Sequence, residues 1–365
     1  MSTLKVGAIR GISATADAIT VNASDGTCSI KATNKSGHNL IINGSFVVAQ
    51  RAQSSTSTSS YSTVDRFAIT ITGTDETPTQ AQHALTSSDT GPWEKGFRYS
   101  YHLTNGNQTS GAGASDRIVI AQILEAQDIA NSGWNYTSTS SYITLSFWVK
   151  SSVAQNFHGY IKTDDGTAQN YPFETGSLSA DTWTKITKTI PGNSNLQFDN
   201  NNASGLRIHI TPFLGTDYTA SPTLNTWAAY ASGTRTPDQT STWYTTNDAT
   251  FEITGVQLTA TDYCPDYPHI SYADELQRCK RYFEKRMVCG QSYVNTVMDV
   301  GINANYTVDK RVAATVTWDL EQSGNMTGST PTINKNRVHG AYSYQAAAGA
   351  GNYFYYYTYS ADAEL

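Results

Sequence analysis

SYITLSFWVK, residues 141–150, alternates without a break. Ile143, Leu145, Phe147 and Val149 fall on one side of an extended chain, and Tyr142, Thr144, Ser146, Trp148 and Lys150 on the other. A period of two is that of a β-strand with one face buried, and β-branched and aromatic side chains suit a pleated surface. The same reading extends outward. Phe67, Ile69 and Ile71 share a face in residues 64–71; Leu206, Ile208 and Ile210 alternate with Arg207, His209 and Thr211. Residues 117–123 are nearly continuous apolar chain, as a strand covered on both faces requires. In residues 251–258 the phase switches at Gly255, between Phe251 and Ile253 on one side and Val256 and Leu258, which predicts a β-bulge. Trp183 and Ile186 stand in opposite phases within residues 182–190, and a second bulge is expected there. SSTSTSSYS (54–62) reads as a polar loop. Strands at this spacing, separated by Gly, Asn, Asp and Ser clusters, indicate an antiparallel sandwich of jelly-roll type.

Composition agrees. Of 365 residues, 38% are hydrophobic and only 15% charged, so Ser, Thr, Asn, Gln and Gly fill much of the rest. Such a mixture suits strands joined by polar turns and makes a poor helical protein. The length allows two or three cores, and a mainly β chain in four parts is expected. Residues 1–38 form a small polar β module, with strands at 4–9 and 18–22 and Asp25-Gly26 as a hairpin turn before a third. So few apolar side chains cannot build an independent core, so this module must borrow burial from copies of itself or from another protein. Residues 39–262 carry the sandwich. Residues 263–286 are a helical junction, in which Ser271 precedes Asp274 at capping-box spacing and Leu276, Cys279 and Phe283 form one apolar stripe. Arg278, Lys280, Arg281, Glu284 and Lys285 occupy its other face, read as solvated. Residues 287–365 return to β, with candidate strands at 312–318 and 337–344. There YFYYYTY (353–359) sets Tyr353, Tyr355, Tyr357 and Tyr359 on one face, as a packing row or a subunit contact.

The formal charge is −6, from 24 basic and 30 acidic residues, and no basic run exists outside the helix. Nucleic acid and anionic membrane are therefore poor partners. The opening MSTLKVGAIRG lacks the apolar core of a signal peptide, and no stretch reaches transmembrane length, so no membrane insertion is expected. Cys28, Cys264, Cys279 and Cys289 make no C-x-x-C pair, which points to reduced thiols in a protein made in the cytosol. The seven histidines are scattered singly, which argues against metal ligation by His.

With 23 Tyr and seven Trp, the chain holds more aromatic rings than small sandwich cores need, so some are expected at a binding or subunit surface. Sugars stack apolar CH faces on such rings while Asn, Asp, Gln and Arg bond the hydroxyls. The loop positions that offer this mixture are Trp93, then Trp134 and Tyr136, then Trp227, Tyr230, Trp243 and Tyr244. A loop tryptophan is more often a lid on the core or a subunit contact. Glycoside hydrolysis needs two carboxylates facing each other across about 5–10 Å. Asp164, Asp165, Glu174 and Asp199 qualify by charge alone, and Asp165-Gly166 reads better as a hairpin turn. No G-x-S-x-G, H-E-x-x-H or phosphate-binding Gly loop is present. No catalytic residue is expected.

The ordered string NLIINGSFVVAQR (39–51), VDRF (64–67), YITLSFWVKSS (142–152), TWTKITKTI (182–190), FEITGVQL (251–258) and ADELQRCKRYFEK (273–285) resembles tailed-bacteriophage appendage proteins. These are tail-fibre or receptor-binding proteins and some head-associated fibres, and MSTLKV and SADAEL resemble their ends. The likeness spans nearly the whole chain and consists of structural motifs. It implies a carbohydrate-binding-module-like jelly roll, synthesis in the host cytoplasm and display on the virion, on tail or head. It further implies a homotrimer mounted through its N-terminus on other virion proteins, and non-catalytic recognition of a host-surface glycan. Modules of this kind often hold a structural calcium on carboxylates and carbonyls, although no EF-hand spacing exists here and no other cofactor is implied. One departure is the segment between 211 and 250, which carries more aromatics than the motif requires. A purely structural head or tail decoration is the alternative reading, and a glycan-degrading enzyme the third.

Overall fold

The computed structural model of the chain describes residues 38–365 together with residues 7–9, 19–21, 24 and 28–30. The opening stretch is the strand Tyr142–Ser151. It belongs to a six-stranded antiparallel sheet in the order Thr184–Pro191, Tyr142–Ser151, Thr250–Thr259, Tyr99–Thr104, Thr79–Ala84 and Ser54–Ser55. A seven-stranded sheet faces it, in the order Ala228–Ala229, Gln169–Ser177, Asn156–Thr163, Ser204–Leu214, Arg117–Glu125, Ala68–Thr72 and Ser59–Ser60. The inward sets of both sheets make one core, in which Phe157 and Phe251 meet at 4.9 Å and Phe147 and Phe173 at 6.4 Å. Burying each such side chain contributes roughly 1.5–3 kcal/mol. This is the antiparallel jelly-roll sandwich that the alternation calls for. The run at 54–62 is not simply a loop: it gives one two-residue strand to the edge of each sheet, crossing between them.

The bulge at Gly255 is present. Ser146 pairs with Gln257 and Trp148 with Thr254, so Gly255 and Val256 together oppose Phe147. Gly255 has φ +62, and a Cβ there would lie 2.6 Å from the Phe97 ring. Gly255→Ala combines left-handed strain with overpacking and is expected to cost about 2–4 kcal/mol, read as a lower urea midpoint with unchanged slope. The second expected bulge is absent. Thr184–Pro191 pairs residue for residue with positions 142–149. Trp183 precedes this strand and turns its indole N–H to Asp89 Oδ1 at 2.9 Å, so its opposite phase marks a strand end.

In the junction, Ser271 Oγ accepts the Asp274 N–H at 3.2 Å and donates to Asp274 Oδ2 at 2.7 Å, closing the cap on the helix Tyr272–Lys280. The helix is shorter than its periodicity suggested. Phe283 already begins the strand Phe283–Val294, and the apolar stripe is instead Leu276, Cys279 and Tyr282, packed on Ile42 and Val48. Part of the charged face is engaged: Arg281 grips both oxygens of Glu125 at 2.8 and 2.9 Å. Two further short helices, Ala126–Ala130 and Thr242–Thr245, lie within the sandwich.

Beyond the junction two three-stranded sheets pack together. One holds Phe283–Val294, Gly351–Asp362 and Thr315–Gly324; the other holds Asp299–Asn305, Gly340–Ala346 and Thr332–Arg337. The tyrosine row packs within this fold, with Tyr357 and Tyr359 fully buried beside Trp318 and Tyr353 and Tyr355 half-buried. The chain then returns to the sandwich. Arg51 meets Asp362 at 3.0 Å, Arg66 pairs with Glu364, and Leu365 packs beneath the junction helix. Near the N-terminus, Ala8–Ile9, Ile19–Val21 and Cys28–Ile30 form a three-stranded antiparallel sheet; the Asp25-Gly26 turn lies outside the described residues. Among the described residues, no helix is long and apolar enough to cross a membrane.

Candidate functional site

The outer face of the seven-stranded sheet follows from its register. Phe157 and Ile161 face the core, as do Ile208 and Ile210, so the alternate residues His158, Tyr160 and Lys162, and Arg207 and His209, face outward. Tyr160 lies opposite both His209 and Pro172, and Lys162 opposite both Arg207 and Asn170. Residues 217–240 cross this face. Ala228–Ala229 pairs with Gln169 and Asn170, and Thr219–Ala220 pairs in parallel with Thr236–Pro237. That path carries Tyr218, Tyr230 and Arg235 over the sheet.

Rings and cations alternate there. Tyr160 and His209 stack at 4.2 Å with an 11° tilt. Arg235 lies 4.6 Å from the Tyr218 ring and 5.9 Å from that of Tyr230; Arg117 covers Tyr218 at 5.2 Å and Lys162 covers Tyr230 at 4.9 Å. Such cation–π contacts are worth about 0.5–1 kcal/mol when exposed, enough to hold the rings in place. Asp164 is the carboxylate that meets this group, at 2.6 Å from Lys162 Nζ and 2.5 Å from Arg207 Nε. Burial alone would push its carboxyl up, but hydrogen bonds from Lys162, Ser204 and Arg207 prevail and hold it below the ordinary carboxylate range. Burial, reinforced by the charges of Arg207, Arg235 and Lys162, pushes His209 down to about 3. The imidazole is therefore neutral near pH 7, with one nitrogen donating and one accepting. Burial pushes the Tyr160 phenol up to about 12.

The buried atoms His158 Nδ1, His209 Nδ1, Arg235 Nε and Asn170 Oδ1 have no hydrogen-bond partner among the described residues. Unpaired buried polar atoms are rare in native proteins, and four on one sheet face is a concentration. Asn170 also lines a cavity of about 390 Å³ with Pro172, Ala220, Pro222 and Ala228. The arrangement offers flat rings for apolar CH faces, fixed donors for hydroxyls, and cations for negative charge.

Of the aromatics singled out in the sequence, Tyr230 is at this site. Trp243 and Tyr244 are core residues, which corrects their placement as exposed loop aromatics. The short helix Thr242–Thr245 turns Trp243 onto Phe157 and Phe251, its indole N–H donating to the Thr250 carbonyl at 2.9 Å. Tyr244 stacks on Phe213 at 4.3 Å and donates to Asp116 at 3.0 Å. Trp134 is buried against Phe198, and Trp227 is buried against Tyr171 with its N–H on the Pro191 carbonyl at 2.8 Å. Both are lids on the core. Tyr136 is half-buried, edge-on to Phe198 at 5.0 Å, and Trp93 is half-buried under the Arg98 guanidinium at 3.9 Å. Asp165 accepts the Asp199 N–H at 3.0 Å beside the turn at Gly166, whose φ is +61. Residue alternation had set Arg207 and His209 outward, but nothing local marked Tyr160, Tyr218 or Arg235 as their companions.

No protein-family model matches the chain, and no curated protein matches it in sequence. Among solved structures, the enzymatically active domain of bacteriophage CBA120 tailspike protein 4 is 12% identical with a TM-score of 0.31, the match covering 60% of this chain and 21% of that one. A putative sugar binding protein from Bacteroides thetaiotaomicron is 12% identical with a TM-score of 0.30, over 61% of this chain and 100% of that one. The N-terminal cellulose-binding domain of Cellulomonas fimi β-1,4-glucanase C is 8% identical with a TM-score of 0.29, over 60% of this chain and 100% of that one. Likenesses at these scores add nothing to the fold read from the strands themselves.

Proposed function

We propose that the chain is a non-catalytic glycan-binding protein of a virion appendage, and that it holds an acidic polysaccharide on the outer face of the seven-stranded sheet. The observation that carries this reading is the interleaving of Tyr218 and Tyr230 with Arg117, Lys162 and Arg235 beside a neutral, unpaired His209. With Arg207, four cations gather there, and Asp164 pairs with two of them, Lys162 and Arg207, on a chain whose formal charge is −6. Sugar CH faces stack on the rings, and guanidinium groups bond carboxylates through two parallel N–H donors. The ordered motifs described above support display on a phage particle as a homotrimer mounted through residues 1–38. Trimerisation suits weak sites: about 1 mM affinity is roughly −4 kcal/mol, and linking three raises avidity by orders of magnitude.

Arrays of neutral polysaccharides, uronate-bearing polysaccharides and their carboxyl-reduced forms test the reading. Uronate polymers are expected to bind and to weaken with salt. Tyr230→Ala and Arg235→Ala should each reduce binding at least ~10-fold, about 1.4 kcal/mol, with melting little changed. Equal binding of carboxyl-reduced polymers would remove the acidic class and keep the glycan. Binding to no glycan, or preference for a single-stranded oligonucleotide, would remove the reading. Purified protein should also block phage adsorption; particles that adsorb normally without it but lose integrity would favour a structural decoration.

A further inference from the structure

We infer that His83, His102 and Glu252, on the outer face of the other sheet, bind a single divalent transition-metal ion of the zinc type. The histidines stand apart in sequence but not in space. They lie on the adjacent strands Thr79–Ala84 and Tyr99–Thr104, and Glu252 on Thr250–Thr259 completes the row. Register places Glu252 directly opposite His102 and His83 opposite Ser100, one diagonal step away. His83 Nδ1 is 3.1 Å from one Glu252 oxygen and His102 Nδ1 3.4 Å from the other, and one ligand atom from each residue lies within 4.8 Å of the rest. Tetrahedral zinc with bonds of about 2.0–2.2 Å needs ligand atoms roughly 3.3–3.6 Å apart, so small ring rotations suffice.

Other observations point the same way. His102 Nδ1 is buried and makes no well-aligned hydrogen bond, meeting only Glu252 Oε1 at 3.4 Å, while its Nε2 sits 3.1 Å from Thr104 Oγ1. An oxygen hydrogen-bonded to the far ring nitrogen is how a ligating imidazole is oriented. The His83 side chain is 48% exposed, which leaves an entry path and an open fourth position. Two imidazoles and one carboxylate suit zinc and its neighbours, whereas calcium takes oxygen ligands.

Lys150 is the opposing feature, 2.9 Å from Glu252 Oε1 and 3.0 Å from Asp89. Its charge repels a cation and limits affinity, but it engages Oε1 and leaves Oε2, on the His83 side, available. Ser100 Oγ donates to that same Oε2 at 2.6 Å and steadies the carboxylate.

The test uses full-length, chelator-stripped protein titrated with zinc chloride alone by calorimetry, and with cobalt by visible absorption. One equivalent of zinc should bind with micromolar affinity, raise the melting temperature, and give cobalt bands of tetrahedral intensity. His83→Ala, at a half-exposed position that leaves the core intact, should lose at least ~10-fold in affinity and the zinc-dependent melting shift. His102→Ala should do the same, and Lys150→Met should bind zinc several-fold more tightly. No saturable uptake up to roughly 100 µM zinc, or uptake unchanged in His83→Ala, would overturn the inference.

Discussion

Glu364→Ala is expected to remove about 3–5 kcal/mol of folding stability, although it touches neither the proposed glycan face nor the proposed metal site. Its partner Arg66 has no exposed side-chain surface. The Arg66 guanidinium lies 3.4 Å from the Tyr282 ring centroid, donates to the Ile123 carbonyl at 2.5 Å, and pairs with Glu364. Arginine does not shed its proton in proteins, so losing the carboxylate strands a full charge where water cannot reach it. The double variant Arg66→Met, Glu364→Leu should recover most of the loss, because apolar groups of similar volume replace both charges. Urea midpoints compare the three proteins. A loss below about 1 kcal/mol in Glu364→Ala would show that the pair contributes little and that residues 362–365 are loosely docked.

Asn43→Ala is expected to be of similar size. Asn43 is fully buried with φ +61, and its side chain replaces secondary structure around itself. Nδ2 donates to the carbonyls of Val48 and Asp65 at 2.8 and 2.9 Å, and Oδ1 accepts the Val48 N–H at 3.0 Å. Its own N–H donates to Glu275 of the junction helix at 2.8 Å. Truncation leaves the Val48 N–H and the Asp65 carbonyl without a partner at about 1–3 kcal/mol each, the Val48 carbonyl keeping the Asp65 N–H, and puts alanine in a left-handed conformation. About 3–5 kcal/mol follows, read as a fall in urea midpoint. Asn43→Gly relieves only the backbone term and should retain about 1 kcal/mol more than alanine. Equal midpoints for the two variants would show that the left-handed backbone carries no strain.

These positions also show what could be read in advance. Alternation at 142–150, the bulge at Gly255 and the cap at Ser271 are local signals, since a period or a capping spacing is complete within a few residues, and each appears where it was expected. The phase break at Trp183 was equally local but ambiguous, because a strand end and a bulge look alike in sequence. Burial of loop aromatics is not local at all. Trp243 and Tyr244 look like Tyr230 in composition and surroundings, and only the turn of a four-residue helix sends them inward. The candidate face draws on three strands and a crossing segment, and the His83–His102 pair depends on strand pairing that the chain does not spell out.

The serine-rich segment at 54–62 bears on behaviour at high local concentration. Its two short strands occupy one outer edge of each sheet, on the same side of the sandwich. An open edge is a template for another chain, and a long apolar one invites end-on zipping into aggregates. Here both templates are two residues long and made of serine, which offers a neighbour little length to pair with and almost no apolar surface to bury. Wherever many copies lie side by side, that border would keep each sandwich from recruiting the next.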